Sequence, residues 1–376
     1  MGTLRLFLAF SVLAWHLRPH GYLRLTALDG GIAVISFFII SGFYMSMVIS
    51  QKYRFLPNGR RRFFLNRFLR IFPLYFVAMV LQQLVFSIDR VKTVFTSTLH
   101  YSFTTHVTLI FLNLFKLGQD YWQTFVEVFS TNQTLGATSS LQNFFTAVFG
   151  SNAFVYNPGA LLVAQGWSLA SELTYYLIAP TIVGLAWYKG STLGLMSLIV
   201  RFMFFIFLGG QYMGSWRTKF FPSILVFFII GHFSFLLYEK LKGTHFSKIA
   251  GRFFLLVWAW IIAFSFYNGG FLLGYEYDGW LNWCLYLFVG ISIPFLFSLT
   301  KNSNLDNFLG EFCYPVYLIH PAIIEIEFQH VRVAPAFHYV NIGIGILLLS
   351  YLMIVCVDRP INRIRNRISQ NAPSSI

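Results

Sequence analysis

The chain has 376 residues, 57% of them hydrophobic, 20% aromatic and only 11% charged. Soluble domains carry about 25% charged residues, so a cytosolic enzyme is excluded. The net charge of +14 would point to nucleic acid in a soluble protein, but the cations fall in short gaps between apolar runs, as the positive-inside bias requires. What remains is an all-α polytopic protein of a lipid bilayer, with no nucleic-acid partner.

Several apolar runs approach the roughly 20 residues needed to cross about 30 Å of hydrocarbon. Ten spans are predicted, at about 5–20, 31–50, 71–88, 168–188, 193–210, 220–238, 252–272, 280–299, 312–330 and 339–357. With the N-terminus cytoplasmic, the inner segments hold most of the 27 Lys and Arg residues, including Arg60, Arg61 and Arg62. The opposite orientation would put that run outside, so both termini are expected in the cytoplasm. A single domain is expected over 1–360, with 89–167 as a long outer excursion and 361–376 as a short basic tail. Within the excursion, SFTTHVTLIFLNLFKL (102–117) is apolar but short and interrupted. It is expected to lie at the interface or to cover a cavity, because an eleventh crossing would invert everything after it. The opening run lacks a small-x-small cleavage site and is read as a retained helix. Cys284, Cys313 and Cys356 lie far apart in apolar segments, so neither a disulfide framework nor a metal spacing is visible.

In the first span, RLFLAFSVLAWH places Arg5 and His16 eleven residues apart. That is close to three helical turns, so both point from nearly one face, separated by about 16 Å of rise. His16 is then expected near the bilayer midplane. An ionisable group at that depth needs a partner or a water-filled cavity and is a functional candidate by default. The structural alternative is a histidine satisfied near a helix end, with Trp15 and Arg18 as interfacial anchors. At the mouth of the third span, RRRFFLNRFLRIFP puts Arg67 and Arg70 on one helix face. Guanidinium groups grip phosphate bidentately, although positive-inside loops routinely carry such arginines. In the fourth span, WSLASE places Glu172 about 7 Å along the helix from Trp167; a carboxylate there needs a partner or a cavity. In the ninth, YPVYLIHP carries His320 to about 12 Å depth, where the structural alternative is an imidazole bonded to a carbonyl freed by Pro321. If His16, Glu172 and His320 converge from different spans, a histidine near neutral pKa can take a proton from an attacking hydroxyl.

This set resembles the integral-membrane acyltransferase-3 family, which O-acylates carbohydrates and other acceptors with acyl-CoA. The marks occur in family order: Arg5-x10-His16; Phe37-Phe38-Ile39-Ile40-Ser41-Gly42-Phe43; Arg67-x-x-Arg70 with Phe72-Pro73-Leu74-Tyr75; Trp167-Ser168-Leu169 with Glu172; and Tyr317-Leu318-Ile319-His320. Asp358-Arg359-Pro360 resembles the usual closing Glu-x-Pro, with Asp in place of Glu. The resemblance implies ten transmembrane helices around a central pore in the inner (plasma) membrane, with acetyl-CoA or another acyl-CoA entering from the cytoplasm and no metal. It implies His16 as the catalytic residue aided by Arg5 and Glu172. Arg67 and Arg70 would bind the donor's phosphates, with Arg60–Arg62 as helpers. Ser41, Gly42 and Phe43 would line the pore on the donor's path, and Trp167, Ser168, Tyr317 and His320 would line it beside the substrate. Gly30 and Gly31 would let the acceptor approach the backbone. The acceptor would be a carbohydrate, such as a surface polysaccharide, an O-antigen or a lipid-linked oligosaccharide. A transporter or flippase of a glycan or lipid-linked precursor is the competing class, but nothing resembles paired inverted repeats or broken half-helices. The membrane-bound O-acyltransferases also use an intramembrane histidine, and the first-span Arg5-x10-His16 arrangement argues against them.

Overall fold

The computed structural model describes residues 1–18, 28–85, 103–131, 161–208, 215–267, 277–331 and 333–370. Much of the 89–167 excursion and the end of the 361–376 tail lie outside the described residues. Among those described, helix is the regular structure throughout. The longer helices are α1 (Gly2–Leu17), α2 (Gly30–Gln51), α3 (Gly59–Val85), α4 (Phe103–Phe115), α5 (Gln119–Thr131), α6 (Trp167–Val183) and α7 (Trp187–Leu208). After the short α8 (Ser215–Thr218) come α9 (Phe221–Leu241), α10 (His245–Tyr267), α11 (Trp280–Thr300), α12 (Asn304–His330), α13 (Pro335–Met353) and α14 (Arg359–Gln370).

Among the described residues, 7 helices are long and apolar enough to cross a membrane. The chain is therefore a multi-pass membrane protein, all-helical among the described residues. Three other predicted spans also form helices: α1 has 16 residues, α6 has 17, and α12 has 27 with several carboxylates along it. The apolar stretch inside the excursion forms α4, 13 residues and about 20 Å long, shorter than the hydrocarbon.

The chain divides into two compact units. The first comprises Met1–Ala78, Ile178–Gly194 and Val226–Ile376. Here α1 packs against α12 and α2, α2 against α11, α10 against α11, and α12 against α13. Ala9, Leu13 and Leu17 of α1 share one buried cluster with Phe312, Cys313, Val316 and Ile324 of α12 and with Ile342 and Ile346 of α13. Lipid tails are as apolar as these side chains, so close packing rather than water exclusion holds such helices together. Two glycine crossings show how close. A Cβ on Gly2 would stand 1.7 Å from the Asp306 carbonyl oxygen, and one on Gly231 would stand 2.0 Å from that of Ile39. At the first crossing, Asp306 accepts from the backbone N–H groups of Gly2 at 2.7 Å and Thr3 at 2.9 Å. It thereby satisfies donors that open every helix without a partner and fixes where α1 begins along α12.

The second unit comprises Met79–Leu177 and Leu195–Leu225. Its α4 and α5 are joined by a tight link in which Lys116 (φ 60°) and Gly118 (φ 86°) are left-handed. Gly takes that conformation freely, whereas a lysine there is strained. Four side chains of this hairpin hold the segment before α6. Asn113 accepts from the Leu162 N–H at 2.7 Å, Lys116 and Gln119 donate to the Val163 carbonyl, and Gln123 donates to that of Ala164.

Candidate active site

The first unit brings His16 and His320 together, with ring centroids 4.8 Å apart and 57° between the planes. Alignment of α1 along α12 at the Gly2–Asp306 end carries one histidine to the other. His16 Nδ1 lies 2.9 Å from the Val12 carbonyl oxygen. A carbonyl only accepts, so Nδ1 carries a proton, and in the neutral ring Nε2 keeps its lone pair. The His320 ring is set the same way, with Nδ1 donating to the Tyr317 carbonyl at 2.8 Å. Pro321 has no N–H, so this carbonyl lacks its usual helical donor, and His320 supplies one. The structural alternative raised for His320 thus holds for one nitrogen. The other, Nε2, is buried with no hydrogen-bond partner. His320 is wholly buried, whereas the His16 ring is exposed although protein surrounds it closely, as for a residue lining an interior opening. Tyr317 completes the group, its ring 5.9 Å from that of His320.

The remaining expected site residues of the first unit lie elsewhere within it. Arg5 lies towards the start of α1, its guanidinium 5.8 Å from the Tyr44 ring centre. Ser41, Gly42 and Phe43 lie where α2 crosses α9. A Cβ on Gly42 would stand 2.1 Å from the Phe228 carbonyl oxygen, and Phe43 is buried against Phe235, Tyr238 and Phe297. The buried Ser41 Oγ has no partner. Gly30 packs on the Trp15 ring and Gly31 on Tyr277. Trp167, Ser168 and Glu172 belong to the second unit, at the start of α6, with the Trp167 ring 5.9 Å from Lys219 Nζ.

Arg67 and Arg70 lie beside the C-terminal helix. Arg70 binds both oxygens of the buried Asp358, at 3.2 and 3.0 Å. Asp358 ends a single wide turn, Ile354–Asp358, between α13 and α14; such π turns insert one extra residue and often mark functional sites. Arg67 donates to Asn66 Oδ1 at 3.0 Å, and Arg365 of α14 donates to the same oxygen at 3.3 Å. Sequence reading missed Asn66 and Arg365. The signal was present across the turn and α14, where Asp358, Asn362 and Arg365 recur at helical spacing.

It also missed a buried polar cluster in the second unit. Burial lowers the Lys116 ammonium to about 7 and raises the Asp120 carboxyl to about 7. Asp120 accepts from the Ser171 hydroxyl at 3.1 Å. Among the described residues, no group of three or more His, Cys, Asp or Glu side chains could hold a metal.

A helical membrane protein with two facing imidazoles and an arginine-rich helix end has the parts of a group-transfer enzyme. Residues 2–355 match the family model described as an acyltransferase domain, acyltransferase family 3, and the chain belongs to that family. It is also similar to an uncharacterized protein of Haemophilus influenzae (strain ATCC 51907 / DSM 11121 / KW20 / Rd), with 26% identity over 181 residues. The matched stretch covers 48% of this chain and 60% of that relative. No solved structure matches the chain.

Proposed function

We propose that the protein moves an acyl group, most simply acetyl, from cytoplasmic acyl-CoA to a hydroxyl of an extracytoplasmic or lipid-linked carbohydrate. The observation that carries this reading is the His16 Nε2 lone pair, accessible yet deep in the helices of an acyltransferase-family chain. In this mechanism His16 Nε2 takes the acceptor hydroxyl's proton as its oxygen attacks the thioester carbonyl. The carbon–sulfur bond then breaks, and the CoA thiolate leaves and is protonated. Direct attack needs no acyl-histidine intermediate. His320 holds the His16 ring from behind, Arg5 sets the field at the start of α1, and Arg67 receives the donor's phosphates, with Arg70 beside it holding α3 to Asp358. Glu172, with Trp167 and Ser168, orients the acceptor, and Ser41 lines the donor's path.

The same reading takes the chain as one acyltransferase domain over 1–360 with ten crossings around a pore in the inner membrane. Both termini are cytoplasmic, an orientation supported by the basic residues at 60–62 and in the tail. The test is acyl transfer from radiolabelled acetyl-CoA to glycan in membranes carrying wild-type protein or His16→Ala. Label should enter the glycan in proportion to enzyme and disappear in the variant, which still inserts. Undiminished transfer by His16→Ala would remove the catalytic assignment. Glycan movement with no label in the product would instead favour a flippase.

A further inference from the structure

The arginines at the α3–α14 junction are arranged for more than topology. Asn66 Oδ1 accepts from both Arg67 and Arg365, while its Nδ2 donates to the Arg365 carbonyl at 3.3 Å. One side chain thus clamps two guanidiniums side by side and ties α14 to α3. Lys52 lies within reach of both charges, and Arg70 close by is taken up by Asp358. Arg67 Nε is buried and has no partner. Like charges held this closely repel, and they are stabilised when an anion occupies the gap.

Tyr53 connects this cluster to a cavity. The Tyr53 hydroxyl lies beside Arg67 and Arg365, and the Tyr53 side chain also lines a cavity of about 550 Å³ shared with Arg54, Arg60, Phe63 and Gly184. That volume lies in the range of small-molecule pockets, about 300–1,000 Å³. Tyr53 and Phe63 pack edge to face, at 5.6 Å between centroids, and the Arg67 guanidinium lies 5.9 Å from the Phe63 ring centre. Aromatic walls with arginines at the rim suit a planar base; the paired guanidiniums suit phosphate.

We propose that the Arg67–Arg365 pair clamped by Asn66, together with the adjoining Tyr53–Phe63 cavity, binds the nucleoside bisphosphate end of the acyl-CoA donor. This rests on the acyl-CoA reading above and adds the C-terminal helix to the donor site. The shape favours a nucleotide over a phospholipid headgroup, which carries no base to fill the cavity.

The test uses the full chain in neutral-lipid nanodiscs and measures binding of acetyl-CoA and its displacement by adenosine 3′,5′-bisphosphate. Arg365→Gln should weaken the bisphosphate by about tenfold or more, as loss of a charge-assisted bond does, and Arg365→Lys should restore part of it. Asn66→Asp is the decisive variant. Its carboxylate still accepts from both arginines and gives up only the Nδ2 bond to the Arg365 carbonyl. At most a small drop in the thermal midpoint is therefore expected, whereas the added negative charge should weaken bisphosphate binding at least as strongly as Arg365→Gln. Acetyl-CoA binding that ignores adenosine 3′,5′-bisphosphate, or is unchanged in both variants, would overturn this inference while leaving the acyltransferase reading intact. No acetyl-CoA binding by the wild type would overturn that reading and this one with it. Displacement by phosphatidylglycerol nanodiscs but not by adenosine 3′,5′-bisphosphate would reassign the cleft to lipid.

Discussion

His16 and His320 face each other from α1 and α12 at 4.8 Å between ring centroids, each with Nδ1 fixed to a carbonyl of its own helix. The two are chemically alike but unequal in access, because His320 is wholly buried and His16 is not. Only His16 can meet a substrate hydroxyl directly. Loss of a general base costs about 10²–10⁴-fold. His16→Ala is therefore expected to lower kcat over that range while leaving the KM for acyl-CoA close to wild type. Steady-state kinetics in detergent or nanodiscs measure both, and a KM effect alone would move His16 from chemistry to binding.

His320→Phe fills similar space but leaves the Tyr317 carbonyl without its donor. A buried unsatisfied group costs about 1–3 kcal/mol, so a lower thermal midpoint is expected. The loss in kcat should be smaller than for His16→Ala, because the remaining base is still present but less well held. A kcat loss equal to that of His16→Ala, at unchanged stability, would make His320 a base in its own right.

Arg70 Nη1 donates to both oxygens of Asp358 and so joins α3 to the turn before α14. Asp358 is 3% exposed and Arg70 is 23% exposed, so removal of the arginine strands a buried carboxylate while water screens part of the effect. Arg70→Ala is expected to cost about 1–3 kcal/mol, less than the 3–5 kcal/mol of a fully buried pair. Asp358→Asn should cost less than Arg70→Ala, since Arg70 can turn to water. A double-mutant cycle, read by thermal or denaturant unfolding, should show coupling of about 1 kcal/mol or more. Additive effects would mean that the contact contributes nothing to stability.

The sequence shows the helical membrane class because that follows from local rules, apolar run length and helical spacing. The His16–His320 meeting was legible only as separate depths. Its cause lies at the far end of α1, where Gly2 and Asp306 let two backbones approach, and glycines carry no hydropathy signal. The same holds for Gly42, whose place in a motif suggested a pore wall and which stands where α2 meets α9 so closely that a Cβ would lie 2.1 Å from the Phe228 carbonyl oxygen. Arg365 was hidden differently. Counted with the basic tail, it looked like a topology marker, and only the shared Asn66 oxygen joins it to Arg67 across about 300 residues of chain. Lys116 lies in the stretch 102–117 read as an interfacial helix or cover, and Asp120 just beyond it in the outer excursion. Nothing local marks a lysine as fully buried; the left-handed backbone at Lys116 is a property of the fold.

The second unit should carry a minimum of stability near neutral pH. Asp120 is raised by burial from 3.8 to about 7, so the folded state holds a proton that the unfolded chain releases. Its contribution is complete below about pH 4 and is lost as pH rises towards 7, at a slope of up to about 1.4 kcal/mol per unit. Lys116 is lowered by burial from 10.5 to about 7. Its contribution is complete above about pH 10.5 and is lost as pH falls towards 7. The two slopes meet near pH 7, where neither group contributes. Asp120→Asn should flatten the acid limb alone and Lys116→Met the alkaline limb alone. Hydrogen exchange of the backbone at 162–171, which Asn113, Lys116, Gln119, Gln123 and Asp120 hold, measures both limbs between pH 5 and 9. Correction for intrinsic exchange rates is part of that measurement. A wild-type profile with its maximum rather than its minimum at neutrality would mean that Lys116 and Asp120 are charged and paired there.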